Sequence, residues 1–324
     1  MSFLALIFTL TLSYYVPRGN VDKLKNFFLM AAQRLANTYP TKQKSKYNDI
    51  ITWLLIAFLP SITIAIFFYF CDYFLPIIGL LINIIVLYFT LTFSGLFNKP
   101  AQIVTALRAG DNELANNLYR EWVPNDPETI NHLSSTAIAR KSIEVSLQRG
   151  HYQWFAPIFW FIIFSAIGAG AAGAVLYRLS DMLAREPIQP DLNNTTNKNS
   201  IAKQIFTWLD TPPAHLTGWG FAIMGDFEDA IYCWREQAAT WPYGASSDNN
   251  DKNKGIILTS GAGALGVKLG ENLTNGAVRS RAEIGLGDDA DADYLHSTIG
   301  LVWRTLILML GLLLLLTFAY WLGN

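Results

Sequence analysis

Four aspartates near the C-terminal end of the chain have the spacing that most resembles a cation site. They are Asp288, Asp289, Asp291 and Asp293. Their DxDxD pattern opens a calcium loop, but the EF-hand loop also needs glycine at its sixth position and glutamate at its twelfth. Counted from Asp289, those positions hold Tyr294 and Gly300. The sequence therefore favours a solvated acidic loop and leaves open Mg²⁺ held jointly with a phosphate.

A second candidate is the glycine pattern GxGxxG, formed by Gly261, Gly263 and Gly266 after the apolar stretch IILT. A dinucleotide site would need a βαβ unit around this motif, and the chain ahead of it predicts membrane helix and polar loop instead. We therefore expect a helix-packing or turn role for these glycines. Backbone amides in such a turn could still hold an anion.

No other spacing indicates a reactive centre. The four histidines lack i, i+4 pairing, and the sequence contains neither a P-loop ending in GK[ST] nor a nucleophile elbow. We predict no metal site and no cofactor, and these patterns identify no catalytic residue.

The elements that must position these loops are four long apolar runs: Ile51–Phe70, Phe74–Phe97, Trp154–Tyr177 and Leu301–Leu322. A helix needs roughly 20 apolar residues to cross the hydrocarbon core. Only 15% of the 324 residues are charged and 52% are hydrophobic. The sequence predicts an all-α fold, a polytopic α-helical integral membrane protein with amphipathic helices in its polar loops. Its net charge of −1 excludes a nucleic-acid partner, and its evident partner is the lipid bilayer.

The order of apolar and polar stretches predicts nine segments. These are a short N-terminal membrane helix (1–16), a basic cytoplasmic loop (17–50), a transmembrane hairpin (51–97), a cytoplasmic helical loop (98–152), a transmembrane helix (153–177), a linker (178–200), a broken or re-entrant membrane segment (201–225), a polar region with Gly and Asp (226–300) and a C-terminal transmembrane helix (301–322). The excess of Lys and Arg in the first two loops indicates that they are cytoplasmic.

Two of these segments have features that bear on packing and on topology. Ala166, Gly170 and Ala174 recur at four-residue spacing in 153–177, which predicts close packing of a helix against a neighbour. In 201–225, Pro212 and Pro213 divide the run into halves that are each too short to span. The chain therefore crosses the membrane five or six times. The side on which 226–300 lies depends on whether 201–225 recrosses.

Four segments, in order, resemble the membrane-protein superfamily that includes the CobD/CbiB synthases of cobalamin biosynthesis and the AmpE-type regulators of β-lactamase induction. The segments are FAPIFWFIIFSAIGAGAAGAVLYRLSDML, TPPAHLTGWGFAIMGDF, GAGALGVKLGE and AEIGLGDDADADYLHSTIGLVWR. The resemblance covers about residues 143–303. It implies a helical membrane protein in which the segments 144–152, 258–268 and 283–293 converge on one cytoplasmic pocket.

Departures from the synthase pattern favour the AmpE branch. In the synthases, the stretch that ends in the Ala-Pro pair resembles ESxxENxxDGxxAP. This acidic signature is suited to binding magnesium and phosphate. This chain keeps Glu144 but has Gln148 and Tyr152 where two acids are expected, and neither side chain supplies charge to a divalent ion. The stretch SLQRGHYQWFAPIFW is instead similar to the AmpE form SxxRxYxxFAPLFW.

The AmpE resemblance implies a bacterial inner-membrane, multi-pass protein that modulates β-lactamase induction in connection with peptidoglycan recycling. It implies a non-catalytic signalling protein rather than an enzyme. Its ligand would be an anionic molecule derived from the cell wall, or a nucleotide. The candidate ligand-binding residues are Glu144, Arg149, Lys268, Arg279, Arg281 and Asp288.

Two other functions remain open at this stage. The first is an adenosylcobinamide-phosphate synthase, which joins a corrinoid carboxylate to aminopropanol phosphate and would rely on Glu144 and Asp288 as its surviving acids. The second is a transporter or channel. It is disfavoured because the four apolar runs bury almost no charge where a substrate path would need it.

Overall fold

The computed structural model describes residues 2–15, 30, 46–91, 97–124, 133–185, 201–239, 241, 249–270 and 283–323, and it is almost entirely helical. The helices are α1 (Ser2–Tyr15), α2 (Lys46–Trp53), α3 (Leu59–Phe74), α4 (Pro76–Thr90), α5 (Asn98–Arg108), α6 (Asn112–Trp122), α7 (Ser135–Gly150), α8 (Ala156–Ala166), α9 (Ala172–Arg185), α10 (Ile201–Met224), α11 (Phe227–Gln237), α12 (Asn249–Leu265) and α13 (Ala292–Gly323). Two-residue strands β1 (Val267–Lys268) and β2 (Asp288–Asp289) complete the described part. The all-α prediction is confirmed.

Two short π-helical turns interrupt this pattern, at Leu54–Phe58 and at His151–Phe155. Each ends two residues before a proline, Pro60 in the first case and Pro157 in the second. Proline has no backbone N–H to donate to the carbonyl four residues earlier, so the ladder of i→i−4 bonds cannot continue there. A wider π turn is one way in which a helix absorbs that loss.

The chain divides into two compact units, and the first comprises Met1–Phe93 and Ala156–Pro212. Its core includes seven buried aliphatic residues from the first π turn, α9 and α10: Ile56, Ala57, Val175, Leu176, Leu179, Leu183 and Ala202. The indole N–H of Trp53 donates to the hydroxyl of Ser180 at 3.1 Å, which ties α2 to α9. Burial of these side chains supplies the main stabilisation of this unit.

The segment 153–177, predicted as one transmembrane helix, is two helices in the structure, so that prediction is wrong. Between α8 and α9 the chain turns at Gly168 and Gly170, whose φ angles of 79° and 57° are left-handed. The amide of Ala171 then donates to Oδ1 of Asn83 at 2.8 Å. The small residues do serve close packing, since a Cβ at Gly173 would overlap the carbonyl oxygen of Trp160.

The segment 201–225, predicted to be broken, is one continuous helix of 24 residues, and this prediction is also wrong. Pro213 cannot donate to the carbonyl of Leu209, which lies four residues earlier in α10. The indole N–H of Trp160 donates to that carbonyl instead, at 3.0 Å. A side chain distant in sequence thus satisfies the group that proline releases, and the helix continues.

Replacing Trp160 by phenylalanine is expected to destabilise the protein by about 1–3 kcal/mol, because the Leu209 carbonyl loses its donor. The midpoint of thermal unfolding in detergent measures the effect. Trp208→Phe is the matched control, since Trp208 is 81% exposed and its loss should cost less than about 0.5 kcal/mol.

A second variant isolates the hydrogen bond from the lost ring volume. Pro213→Ala restores a backbone N–H that can donate to Leu209, so Trp160→Phe should cost less in that background than in the wild type. Equal costs in both backgrounds would contradict the role assigned to the indole N–H.

The second unit comprises Ser94–Phe155 and Pro213–Asn324. In it α13 packs against α5 and α7, and α11 packs against α12. The amphipathic stretch after residue 98 breaks at Gly110, as predicted, where φ is 73°. Asp111 then caps α6 by accepting from the amide of Leu114 at 2.9 Å.

Two described helices are long and apolar enough to cross a membrane: Ile50–Phe74 and Ala292–Ala319, each with a mean hydropathy of 2.4 in its most apolar stretch. Only 17% of that stretch is buried in the first helix and 33% in the second, so most of their apolar surface is exposed. Such exposure is typical of contact with lipid rather than with a soluble core.

Two shorter apolar helices, Phe3–Ser13 and Pro76–Thr90, accompany these spans. The predicted hairpin forms from α3 and α4, but α3 continues to Phe74 and the chain turns at Leu75, which is extended with φ −148° and ψ 101°. The two apolar runs leave Cys71–Tyr73 between them as the expected turn, whereas the structure turns two residues beyond them. The residue before a proline avoids the helical region, and Pro76 follows Leu75 directly.

Candidate functional site

The candidate site is built around one face of α7, where Arg140 and Glu144 are separated by one helical turn. Both side chains bind the same residue, Gly270, just beyond β1. The amide of Gly270 donates to Oε1 of Glu144 at 3.0 Å, and Nη1 of Arg140 donates to the carbonyl of Gly270 at 2.9 Å. Glu144 is only 3% exposed, so this charged hydrogen bond is well shielded from water. The pair clamps the end of β1 against α7.

The strand that this clamp holds is paired in parallel with β2, with Val267 opposite Asp288 and Lys268 opposite Asp289. Arg140 also reaches Asp289, with Nη2 3.4 Å from its carboxylate. One arginine therefore joins the segment just after β1 to β2. The ion pair from Lys268 to Glu283, at 3.7 Å, lies at the exposed edge of the same arrangement.

Two glycines let the chain approach β1 on its way to β2. Gly285 and Gly287 have φ angles of 90° and 102°, which favour glycine. A Cβ at Gly285 would overlap the carbonyl oxygen of Val267, and one at Gly287 would overlap that of Gly266. The side-chain amide of Gln237 fixes Gly285 in place, since its Oε1 accepts from the Gly285 amide at 2.6 Å.

The four aspartates that suggested a cation site each have a separate partner. Asp288 accepts from the hydroxyl of Tyr294 at 3.0 Å, and Asp289 pairs with Arg140. Asp293 pairs with Arg108 at 2.7 Å. Asp291 lies just before α13 and accepts from the amides of Asp293 and Tyr294 at 2.9 Å each. The acidic stretch is therefore a helix start and a set of ion pairs.

The described side chains do not fit a preformed magnesium site of the kind that the synthase signature implies. No group of three or more His, Cys, Asp or Glu residues within the described ranges could hold a metal ion. The nearest candidate ligands are already engaged, Glu144 by a backbone amide and Asp289 by an arginine.

The GxGxxG pattern has the packing and turn role that the sequence favoured. Gly261 and Gly263 lie inside α12 rather than after a strand. A Cβ on the first would press on Leu147 of α7, and one on the second would overlap the carbonyl oxygen of Asp229 in α11. Gly266 ends the helix with φ 65°. These glycines bring three helices close together.

Arg149 lies in the last turn of α7, five residues beyond Glu144. Its Nη2 donates to the carbonyl of Trp122 at 2.7 Å, and its guanidinium carbon lies 4.7 Å from the centre of the Trp122 ring. Burial lowers the pKa of Arg149 from its ordinary value, and the nearby Tyr119 opposes that shift. The guanidinium therefore pairs with a carbonyl and an aromatic face, without a carboxylate partner among the described residues.

The structure thus brings Glu144, Lys268 and Asp288 together through the clamp and the paired strands, and it places Arg149 at a second location on the same helix. Arg279 and Arg281 lie outside the described residues. Sequence reasoning missed Arg140 and Gln237. The i, i+4 spacing of Arg140 and Glu144 was a usable signal, whereas nothing in the sequence marks Gln237 as a partner of Gly285.

The apolar helices and the clamped strand pair define a helical membrane protein with a polar site built on α7. The chain belongs to the CobD/CbiB family, whose model, described as "CobD/Cbib protein", matches residues 21–185. It is 32% identical over 250 residues to "Cobalamin biosynthesis protein CobD" of Stutzerimonas stutzeri, covering 76% of each chain. A protein of the same name from Chromobacterium violaceum is 29% identical over 236 residues, covering 71% of this chain and 69% of the relative. No solved structure matches.

These comparisons overturn the predicted role in β-lactamase induction. The relatives are named for cobalamin biosynthesis, and nothing supports the AmpE branch specifically. That prediction depended on a stretch of fifteen residues, 146–160, which includes the Ala156-Pro157 pair. The similarity to the CobD proteins extends over 236–250 residues. A short motif that tolerates substitution discriminates poorly between branches of one superfamily.

Proposed function

We propose that this protein is a membrane-embedded enzyme of cobalamin biosynthesis that forms an amide between a corrinoid carboxylate and the amine of aminopropanol phosphate. The observation that carries the proposal is the extended similarity to two CobD proteins, 32% identical over 76% of both chains in the first case. The anionic ligand expected from the sequence is then a substrate phosphate or a nucleotide. A ligand derived from the cell wall loses its rationale together with the regulatory role.

The membrane arrangement is part of the same proposal. We place the chain in the bacterial inner membrane as a multi-pass protein, with Ile50–Phe74 and Ala292–Ala319 as spans and the shorter apolar helices as further membrane elements. A polar site on α7 at the membrane surface would meet water-soluble substrates while the apolar helices anchor the protein.

The reaction asks the protein to bring two like-charged substrates together. The amine nitrogen must attack the carboxylate carbon, lose a proton and displace one oxygen, and a free carboxylate is a poor acceptor. A nucleoside triphosphate is therefore required as co-reactant. Its terminal phosphate is transferred to a carboxylate oxygen, and that oxygen leaves as inorganic phosphate when the amine attacks, with the nucleoside diphosphate as the other product. Positioning can lower such a barrier greatly, because bound reactants need not find each other in solution.

The residues on α7 supply that positioning in our proposal. Arg140 and Glu144 hold Gly270, and with it the strand that carries Lys268. The Lys268 ammonium, partly exposed and only 3.7 Å from Glu283, is available to bind a substrate carboxylate or phosphate. Glu144 is then a positioning residue, because its buried carboxylate acts through the backbone of Gly270.

The altered signature at Gln148 and Tyr152 does not oppose this function once the fold is considered. Glu283 and Asp288 lie beside β1, where they contact Lys268 and Tyr294 and supply negative charge without forming a magnesium site. These acids come from a distant part of the chain and lie beside the strand whose end Glu144 holds.

The test is amide formation by detergent-purified protein supplied with adenosylcobyric acid, aminopropanol phosphate, ATP and magnesium, with the product identified by mass. We expect the phosphorylated amide to accumulate only when all components are present. The Stutzerimonas CobD protein, prepared identically, shows whether the assay works. Absence of product from folded protein, in an assay where that relative is active, would contradict the proposal.

A further inference from the structure

Arg140 uses only part of its guanidinium to hold Gly270. Its Nη1 donates to the Gly270 carbonyl at 2.9 Å, whereas its Nη2 lies 3.4 Å from the Asp289 carboxylate, which is long for a charged hydrogen bond. Its Nε is buried and makes no hydrogen bond to the parts of the chain that the structure describes. Nε and Nη2 form the edge of a guanidinium that holds a carboxylate or phosphate through two parallel hydrogen bonds. That edge of Arg140 is therefore poorly satisfied.

A second arginine in the same unit shows this edge fully used. Nε and Nη2 of Arg108 both donate to Oδ1 of Asp293, at 3.1 and 2.7 Å. Both arginines pair with aspartates of the stretch 288–293, and Asp289 and Asp293 are similarly exposed, at 74% and 76%. The loose contact at Arg140 is therefore a feature of that one pair and not of the whole acidic stretch.

The Asp289 carboxylate is held weakly enough to be displaced. Among the described residues its carboxylate bonds only to Arg140, through the one long contact. An exposed pair of this kind adds little to stability. The Arg140 side chain is in contrast only 20% exposed, and its bond to Gly270 fixes its orientation. A rigid donor edge thus faces a weakly held anion.

A second cation lies beside this edge. Lys268 is directly opposite Asp289 in the strand pair, so the two side chains project from the same face. The Lys268 ammonium is 3.7 Å from Glu283, and both side chains of that pair are more than a third exposed. An anion that takes the place of the Asp289 carboxylate is therefore within reach of the Lys268 ammonium.

We propose that Arg140 and Lys268 bind the terminal phosphate of a substrate, and that this phosphate displaces Asp289 from the Nε/Nη2 edge of Arg140. A terminal phosphate offers three acceptor oxygens, enough for two hydrogen bonds from Arg140 and one from Lys268. The bond from Nη1 to Gly270 is kept, so the guanidinium does not move. Asp289 acts as a built-in competitor that lowers the affinity for phosphate. The inference rests on the proposed function, for which it locates a phosphorylated substrate.

The test is equilibrium binding of aminopropanol phosphate, and separately of a non-hydrolysable ATP analogue, to the full-length protein in detergent, with no turnover required. Asp289→Asn removes the competing carboxylate, so we expect the affinity of the ligand that uses this site to rise about fivefold. Asp293→Asn removes the same charge from the fully used pair with Arg108 and is the matched control, with an expected change below about twofold. Misfolding cannot produce a gain in affinity.

Arg140→Lys tests the donor edge itself. Lysine keeps the positive charge and a donor for the Gly270 carbonyl but lacks two parallel N–H groups, so we expect affinity to fall about tenfold. An unchanged affinity in a folded Arg140→Lys variant would overturn the role of the edge. If this variant does not fold, Asp289→Asn still decides the question.

The outcomes separate the site from the reaction. Tighter binding by Asp289→Asn, with little change in Asp293→Asn, supports the site even if no amide forms. Equal gains in both variants would attribute the effect to net charge and overturn the site, as would no gain, or no binding by any variant up to about 10 mM. Amide formation in which Asp289→Asn leaves the KM of both phosphorylated substrates unchanged overturns the site and leaves the proposed function standing.

The two ligands distinguish the source of the phosphate. A gain for aminopropanol phosphate alone assigns the amine-bearing substrate to Arg140 and Lys268, and a gain for the ATP analogue alone assigns the nucleotide. Gains for both ligands, with mutual competition, support one phosphate site that either can enter. Gains for both without competition would overturn the assignment to a single site.

Discussion

Replacing Glu144 by alanine is expected to reduce amide formation about 100-fold and to destabilise the protein by about 1–3 kcal/mol. The physical reason is that the buried amide of Gly270 would lose its acceptor, and Arg140 would remain as the only one of the two α7 side chains that hold Gly270. Lys268, two residues earlier, would then lose its fixed position. Initial rates and thermal midpoints of the purified variants measure the two effects.

Glutamine at the same position separates geometry from charge. Glu144→Gln keeps an oxygen that can accept from Gly270, so we expect it to retain most of the stability and at least a tenth of the activity. Glu236→Ala removes an exposed glutamate from α11 and is the control for the loss of negative charge. A stable but inactive Glu144→Gln would contradict the positioning role and assign the carboxylate a direct part in the reaction.

Replacing Gly285 by alanine is expected to give the largest loss of stability, more than about 3 kcal/mol. Two costs combine there, since the left-handed backbone strains any L-residue and the new Cβ would overlap the carbonyl oxygen of Val267. The hydrogen bond from the Gly285 amide to Gln237 would also be disturbed. Intrinsic tryptophan fluorescence during heating in detergent reports the midpoint of unfolding.

Two other glycines serve as matched controls for these costs. Gly110 has φ 73° but open space around a Cβ, so Gly110→Ala should cost only about 1–2 kcal/mol of backbone strain. Gly300 lies inside α13 with nothing within 4 Å of a Cβ, so Gly300→Ala should stabilise the helix by about 0.5–1 kcal/mol. Any other order of the three variants would contradict the close approach at Gly285.

The two wrong predictions about helices share one cause. A proline pair normally ends a helix, and a long apolar run normally continues one, because both rules describe a chain that interacts only with itself. In α10 the indole of Trp160 satisfies the Leu209 carbonyl, and the helix continues. Between α8 and α9 the left-handed glycines and Asn83 stabilise a turn inside an apolar run.

The error about function has a different origin. Local agreement between SLQRGHYQWFAPIFW and the AmpE form, together with the loss of two acids from the synthase signature, led to the AmpE prediction. A site assembled from several segments does not need all its charges in one of them. Glu283 and Asp288 lie more than 130 residues after Gln148 in sequence, yet they flank the strand that Glu144 helps to hold.

By itself the sequence determined the properties that depend on local composition. These are the helical class, the two long apolar helices, the break at Gly110 and membership of the CobD/CbiB family. Hydrophobic length and glycine conformation act over a few residues, so they can be read directly from the chain. Only the tertiary structure decided that Arg140 and Glu144 clamp Gly270 and that Arg149 meets Trp122. Those contacts join residues 27 to 130 positions apart, and their partners are set by how the helices pack rather than by any local pattern.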